Sequence, residues 1–575
     1  MATSQAKALQ KADKKMDSTR LFIGVAAAIV CFLALVPLIM LFYSSISDAR
    51  PGELGALTLD NYFRAYGARQ TYELLGNSLL YSIGAASFAF AVGSILAWLC
   101  ARTNMPFKGL LFTISLVPMV VPGILNTIAW LFLLSPRIGV INKVLMQTFG
   151  LSSAPFDIYT LPGMIWVEGL ALSPLVFLLM WAAFISMDPN LEDSATMSGS
   201  GILTTFRRVT LRLMLPAILS VVLITFIRGL ESFEVPALVG LPSRIFVFTS
   251  AIYVAVHDLP VDYGLAGAYS ITLLVVSGVG VYLYGKATSR SEQFSTVTGK
   301  GFRPREIDLG YWKYAASAFF VLYFVIVVGL PLLILVWNSL IPYTAVPSID
   351  LLPKVSLKNY SELLGYSKIR QTFMNSAIAS FSTATLVMLL TAVISWVVVK
   401  TRIPGRRILD SLAFLPISIP GLTLGVGLIW VYLTLPIPIY GTLWIMVIAY
   451  ITRFMPYGIR TCSSSMIQIH RDLEEASMSA GASWGQTFRR ITIPLLRPAL
   501  LTGWIYVALI TLRELSSTIL LYSPGNEVLS IMIWDLWQGG ETQELASLGV
   551  LMVVGLSMLV YFFHRLGGRA GSRVM

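Results

Sequence analysis

The sequence predicts an all-α polytopic membrane protein with about 12 transmembrane helices, arranged as two parallel six-helix repeats. Three observations carry this. Hydrophobic residues make up 56% of the chain and charged residues 12%, where a soluble domain carries about 25% charged residues. Apolar runs long enough to span a bilayer recur along the whole chain. The second half also repeats the first, position by position.

The elements follow in order. Residues 1–19 form a basic tail with Lys7, Lys11, Lys14 and Lys15. The apolar run behind it is too long for a signal-peptide core, so it reads as a retained first helix. Six spans are expected at 20–45, 74–101, 109–134, 161–186, 214–233 and 262–285. A polar, basic linker at 286–312 leads to six more at 313–341, 372–399, 409–435, 441–463, 495–520 and 543–564. The repeats are thus 20–285 and 313–565, with a tail at 566–575.

Charge sets the orientation. With the N-terminus inside, about two thirds of the 41 lysines and arginines fall in cytoplasmic segments, as the positive-inside bias requires. The net charge of +12 therefore reflects cytoplasmic loops beside the bilayer and implies no nucleic-acid partner. Cys31, Cys100 and Cys462 lie in or beside apolar runs, without metal-ligand spacing.

The repeat is exact at many positions. Asn61-Tyr62 matches Asn359-Tyr360, Asn77-Ser78 matches Asn375-Ser376, Trp98 matches Trp396, and Pro122-Gly123 matches Pro420-Gly421, all at an offset of 298. Further on the offset is 282, so the first half has 16 extra residues in the external segment 135–160. Two readings stay open for that insertion: an extracytoplasmic contact, or tolerated loop variation.

The longest matched stretch is polar. Leu191–Ile218 and Leu473–Leu500 share Glu192/Glu474, Gly199/Gly481, Phe206/Phe488, Arg207/Arg489, Arg208/Arg490, Thr210/Thr492 and Pro216/Pro498. Both copies fall in cytoplasmic loops, 188–216 and 464–498, after the fourth span of their repeat. Leu473, Ala476, Ser477 and Ala480 fall at helical spacing, Glu474 and Glu475 sit at the helix start where carboxylates suit the dipole, and Gly481 permits a sharp stop. A short helix held between two membrane helices is a rigid knob. An amphipathic helix lying on lipid would explain the arginines, but not two long copies at matched places.

Glu475-Ala476-Ser477, Gly481 and Ile491-Thr492-Ile493-Pro494 resemble the signature of permeases of binding-protein-dependent ABC importers with the type I (MetI-like) fold. The first copy departs from it, with Asp193-Ser194-Ala195, Gly199 and Val209-Thr210-Leu211-Arg212. The fused arrangement is most similar to ferric-iron-type permeases, and thiamine, polyamine and 2-aminoethylphosphonate permeases share similar sequences. The resemblance implies that each stretch is a coupling helix docking on an ATPase subunit. Arg212 in place of proline implies a first copy that sits differently, and the second half is expected to couple more strongly.

The residues expected to serve coupling are then Glu192, Asp193, Ala195, Gly199, Arg207 and Arg208, with Glu474, Glu475, Ala476, Gly481, Arg489, Arg490 and Pro494. Candidate pathway residues are the charges within or near spans: Glu168, Arg228, Glu231, Glu234, Arg453, Arg513 and Glu514. Ionisable groups at membrane depth face a cavity or a partner. Glu231 and Glu234, three apart on one helix face, form a weak candidate for a hard cation, and there is no firm metal site. The competing reading is structural, with Arg–Glu pairs joining helices. Pro118, Pro122-Gly123, Pro416 and Pro420-Gly421 sit mid-span and predict kinks.

No catalytic constellation appears. Gly280 to Ala287 nearly spells a P-loop, but Ala287 lacks the magnesium-ligating hydroxyl. His257, His470 and His564 are scattered. The chain is thus expected to be a transport subunit, not an enzyme, with no cofactor of its own. ATP and magnesium would bind two partner ATPase subunits, and a periplasmic solute-binding protein would dock outside on loops such as 46–73, 135–160, 342–371 and 521–542. The expected location is the bacterial inner membrane with both termini cytoplasmic. A major-facilitator secondary transporter, also built from two parallel six-span repeats, is the rival class.

Overall fold

The computed structural model describes the backbone of residues 2–53, 55–187, 192, 194–195, 197–291 and 306–571. Side chains are described between 23 and 561, apart from those gaps and from 202–203, 206 and 289–291. Asp193 and most of the linker lie outside the described residues. The described chain is helical throughout, with two isolated bridges as its only extended pairings.

Among the described residues, nine helices are long and apolar enough to cross a membrane, and three bent helix pairs raise the number to 12 if each is one span. Two of the bent pairs correct the expected third span of each repeat. Lys108–Val120 and Gly123–Leu134 meet at 96°, and Arg406–Ser418 and Gly421–Thr434 meet at 110°. Pro122 and Pro420 are the extended N-caps of the second members, with ψ of 139° and 145°. Proline disfavours helical backbone in the residue before it, and it lacks the N–H that a continuing helix would bond. The matched Pro-Gly pairs therefore end one helix and start another, which is more than a kink.

The third bent pair, Pro236–Ser243 and Phe248–His257 at 80°, lies in the segment between the fifth and sixth expected spans. Its counterpart in the second repeat is Leu529–Gly539, which the sequence placed in an exposed docking loop at 521–542. Instead Ile531, Ile533 and Trp534 are buried. The matched Asn-Ser pairs explain both segments. Ser78 Oγ accepts from Phe248 N at 3.0 Å and Ser376 Oγ from Leu529 N at 2.8 Å. Asn77 and Asn375 donate to the preceding carbonyls, Phe246 and Glu527, each at 3.1 Å. Buried helix starts need such partners for their free backbone groups.

The repeats interlock. The first helix, Ala2–Ser45, crosses to the second repeat and packs on Gly421–Thr434. A Cβ at Gly427 would lie 2.6 Å from Pro37 O, so only glycine allows this approach. Tyr43 and Trp430 meet edge-on at 5.6 Å. On the opposite side Ser173 and Tyr323 share a hydroxyl hydrogen bond of 2.9 Å. Asn61 and Asn359 play one part in both repeats, clipping the ends of the first spans through carbonyls at 2.9–3.2 Å.

Candidate functional site: two anchored loops and a charged layer

The second polar stretch folds as a helix Arg471–Ser479, a glycine stop, a short turn Trp484–Thr487, a π-turn Phe488–Thr492, and the membrane helix Ile493–Leu512. Gly481 has φ +88°, and Ala482 N closes back on Ser477 O at 3.1 Å. That is the left-handed stop that favours glycine. Ser483 caps the next turn in a capping box with Gln486.

The first copy has the same plan. Gly199 has φ +86°, Ser200 N bonds Ala195 O at 3.1 Å, and a π-turn covers Phe206–Thr210. The π-turn forms above Arg212 just as it does above Pro494. The described backbone therefore does not follow the Arg-for-Pro difference that suggested a first copy seated differently.

The glutamates divide into two kinds. Thr492 Oγ1 donates to Glu474 at 2.8 Å, and Thr210 Oγ1 donates to Glu192 at 2.6 Å. Glu474 is only 7% exposed. Both glutamates, expected at the docking surface, turn inward and pin the knob to the start of the next membrane helix. Glu475 is exposed, as are Leu473, Ala476, Met478, Ala480, Arg489 and Arg490. In the first copy Met197, Gly199, Arg207 and Arg208 are exposed, while Ala195 is half-buried.

Each knob is also tied to the second span of its repeat, by different chemistry. In the first repeat Arg102, itself 2% exposed, pairs with Glu192. In the second, Lys400 donates to Ile469 O, and Trp396 packs on Trp484 and Phe488 with ring centroids 4.7 and 6.2 Å away. Sequence reading missed Arg102, Thr210, Thr492 and Trp484 as anchors. The exact Thr210/Thr492 match was the available signal for two of them.

The candidate pathway charges gather where the two fifth spans end. Arg453 and Glu514 form an ion pair at 3.3 Å. Arg228 donates to the Tyr457 hydroxyl and Arg513 to Met119 O, and both bonds cross between the repeats. Glu231 lies within electrostatic reach of Arg228, Arg453 and Glu514, and its Oε1 has no hydrogen-bond partner among the described residues. Arg453 lies hard against Gly421, where a Cβ would collide with its Nη1. The arginines Arg228, Arg453 and Arg513 here face Glu231 and Glu514, and Glu234 lies within electrostatic reach of Arg453 and Arg513.

Two expectations about this layer are corrected. The helix Leu211–Glu231 ends at Glu231, because Ser232 is extended with ψ 135°. Glu231 and Glu234 therefore do not share a helix face, and Glu234 lies near Gly123 instead. Glu168 stands apart from the arginines. It accepts from Tyr81 at 3.0 Å and Ser232 at 2.8 Å, a hydroxyl network inside the first repeat. Among the described residues no three His, Cys, Asp or Glu side chains gather in a metal-binding group.

The near-P-loop at Gly280 lies inside the continuous helix Tyr263–Ser291, so no phosphate-cradling loop forms there. His257 and His470 are exposed beside Asp258 and Asp472. The insertion at 135–160 holds a helix, Val140–Phe149, stapled by the buried Asn142 to Leu134 O and Phe156 O, each at 2.9 Å.

Fold and site together define a helical, integral membrane permease with two polar knobs, one in each repeat. Residues 388–570 match the family model described as "Binding-protein-dependent transport system inner membrane component". The chain is 25% identical over 96% of its length to the ferric transport system permease protein FbpB of Actinobacillus pleuropneumoniae, covering 80% of that protein. It is 24% identical over 86% of its length to the Fe(3+)-transport system permease protein FbpB 2 of Haemophilus influenzae, covering 90% of it. A segment covering 29% of the chain is 27% identical to a putative 2-aminoethylphosphonate transport system permease protein of Salmonella paratyphi A, covering 63% of that protein. A crystal structure of a bacterial ABC transporter involved in alginate import aligns with 49% of the chain and 99% of its own, at 19% identity and a TM-score of 0.40. The chain is a fused, two-repeat permease subunit of an ABC importer, integral to the inner membrane. That replaces the major-facilitator alternative.

Proposed function

We propose that this permease carries ferric iron, delivered by a periplasmic binding protein, into the cytoplasm. The observation that supports this solute is the similarity to ferric permeases along nearly the whole chain. The 2-aminoethylphosphonate match covers only 29% of the chain, and makes that solute the second reading. Thiamine and polyamines rest on the sequence resemblance alone.

In the proposed cycle two ATPase subunits grip the exposed faces of the knobs, Leu473, Ala476, Ala480 and Glu475 on one and Met197, Arg207 and Arg208 on the other. Glu474–Thr492 and Glu192–Thr210 transmit their closure to the fifth spans. Those spans end in the charged layer. The cross-repeat bonds of Arg228 and Arg513 must break for the two halves to part, which makes the layer the closed barrier of the pathway. Both termini lie in the cytoplasm, and the binding protein docks outside on the insertion 135–160, whose Phe149 and Phe156 are exposed.

The test is uptake in proteoliposomes holding the permease, its ATPase subunits and its binding protein. ATP-dependent accumulation of radiolabelled ferric iron, with none of labelled 2-aminoethylphosphonate, is expected. The opposite pattern would overturn the solute and leave the coupling reading intact.

A further inference from the structure

An apolar groove of about 820 Å³ opens between the first helix and the second repeat. The first helix supplies Val25 and Ile29, helix Ser367–Lys400 supplies Leu386 and Leu389, and helix Ile493–Leu512 supplies Leu501 and Trp504. Its walls are open to the surroundings: Leu389 is 59% exposed, Leu501 52% and Val25 51%. The polar wall atom of Thr385 is already satisfied by Trp504 Nε1 at 3.0 Å.

One charge breaks this apolar face. Arg497 lies between Ile493 and Leu501 at four-residue spacing, hence on the groove-facing side of the same helix. It is exposed and makes no ion pair or hydrogen bond among the described residues. Two turns towards the cytoplasm stand Arg489 and Arg490, also exposed. An arginine on a lipid-facing helix is costly unless an anion meets it or it snorkels to one. The repeat shows that the residue is not demanded by the fold, because the equivalent position is Leu215.

We propose that this groove is a binding site for an anionic phospholipid of the cytoplasmic leaflet, its acyl chains lying between the first helix and the second repeat and its phosphate on Arg497. The lining is apolar, Arg497 stands at its edge between Ile493 and Leu501, and Arg489 and Arg490 lie towards its cytoplasmic end, which matches the polarity of such a lipid. A membrane helix from another protein would bury Arg497 against apolar side chains without an anion. Because one wall is the first helix of the other repeat, the bound lipid bridges the two halves.

Native mass spectrometry tests this on the full-length permease assembled with its ATPase subunits. The complex is equilibrated in vesicles of equal phosphatidylglycerol and phosphatidylcholine, and the retained lipids are counted. The wild type is expected to retain phosphatidylglycerol preferentially. Arg497→Gln should lower that retention at least about fivefold, and Arg497→Lys should keep it. Leu389→Trp, which fills the groove and leaves the charge, should displace lipid of either kind. Equal retention of the two lipids by the wild type, or unchanged phosphatidylglycerol on both Arg497→Gln and Leu389→Trp, overturns the proposal. Retention lost equally in Arg497→Lys also counts against it, because the phosphate then plays no part.

Discussion

Replacing Thr492 with valine removes the hydroxyl that Glu474 accepts and keeps the side-chain shape. The carboxylate is 7% exposed, so little water can replace that donor. A hydrogen bond to a charged group contributes about 1.5–3 kcal/mol net. At about 1.4 kcal/mol per factor of ten, the opened form of the knob should become roughly 10- to 150-fold more populated. Trypsin cleavage at Arg471 and Arg489 reads that population when opening and closing outpace cleavage. In the assembled importer, Thr492→Val should be cut at least about tenfold faster and should take up less solute per ATP hydrolysed. Thr210→Val should do less, because Arg102 still holds Glu192. Glu474→Ala combined with Thr492→Val should cost less than the two single changes summed, since both delete one interaction. Wild-type cleavage and stoichiometry in Thr492→Val, or a larger effect from Thr210→Val, would refute the view that this bond carries the coupling.

Four further outcomes are expected. Gly421→Ala should abolish uptake at normal expression, because its Cβ collides with Arg453 and displaces it from Glu514; normal transport would mean the Arg453 position is irrelevant. Ser376→Ala should lower the melting temperature in detergent through about 1 kcal/mol of lost hydrogen bonding at the start of helix Leu529–Gly539, and an unchanged melting temperature would contradict that role. The Gly310 backbone N–H and the Asn104 amide hold the Asp308 carboxyl below its ordinary range. Its stabilising contribution is complete above an unfolded value of about 3.9 and is lost as pH falls through the lower folded value. Asp308→Asn should accordingly flatten that part of the acid unfolding profile. Finally, Glu475→Ala should reduce uptake more than Asp193→Ala, and the reverse ranking would remove the idea that the second half couples more strongly.

Much of the site was legible because duplication exposes it. Asn61/Asn359, Asn77/Asn375, Ser78/Ser376 and Thr210/Thr492 each perform one task twice, and each pair was visible as an exact match. What the match did not say was the task. Glu474 beside Glu475 gives two adjacent carboxylates on an amphipathic helix, and period alone cannot say which turns inward when both flanks are polar. The buried helix Leu529–Gly539 was missed because it is too short for a span and follows a polar stretch, Ser523 to Glu527. Glu231 and Glu234 were misplaced on one face because the helix stops between them, without a proline or glycine to mark the stop.

The sequence by itself determined the helical membrane class, the two repeats, the polar knobs and their glycine stops. These follow from composition, from period, and from the conformational freedom of Gly199 and Gly481, all local properties. Tertiary structure alone decided the crossing of the first helix onto Gly427 and the meeting of Arg228, Glu231, Arg453, Arg513 and Glu514 between the repeats. The physical reason is separation: Arg228 and Tyr457 stand 229 residues apart. Only the packing of two interlocked bundles brings such groups together, where low dielectric obliges buried charges to find partners.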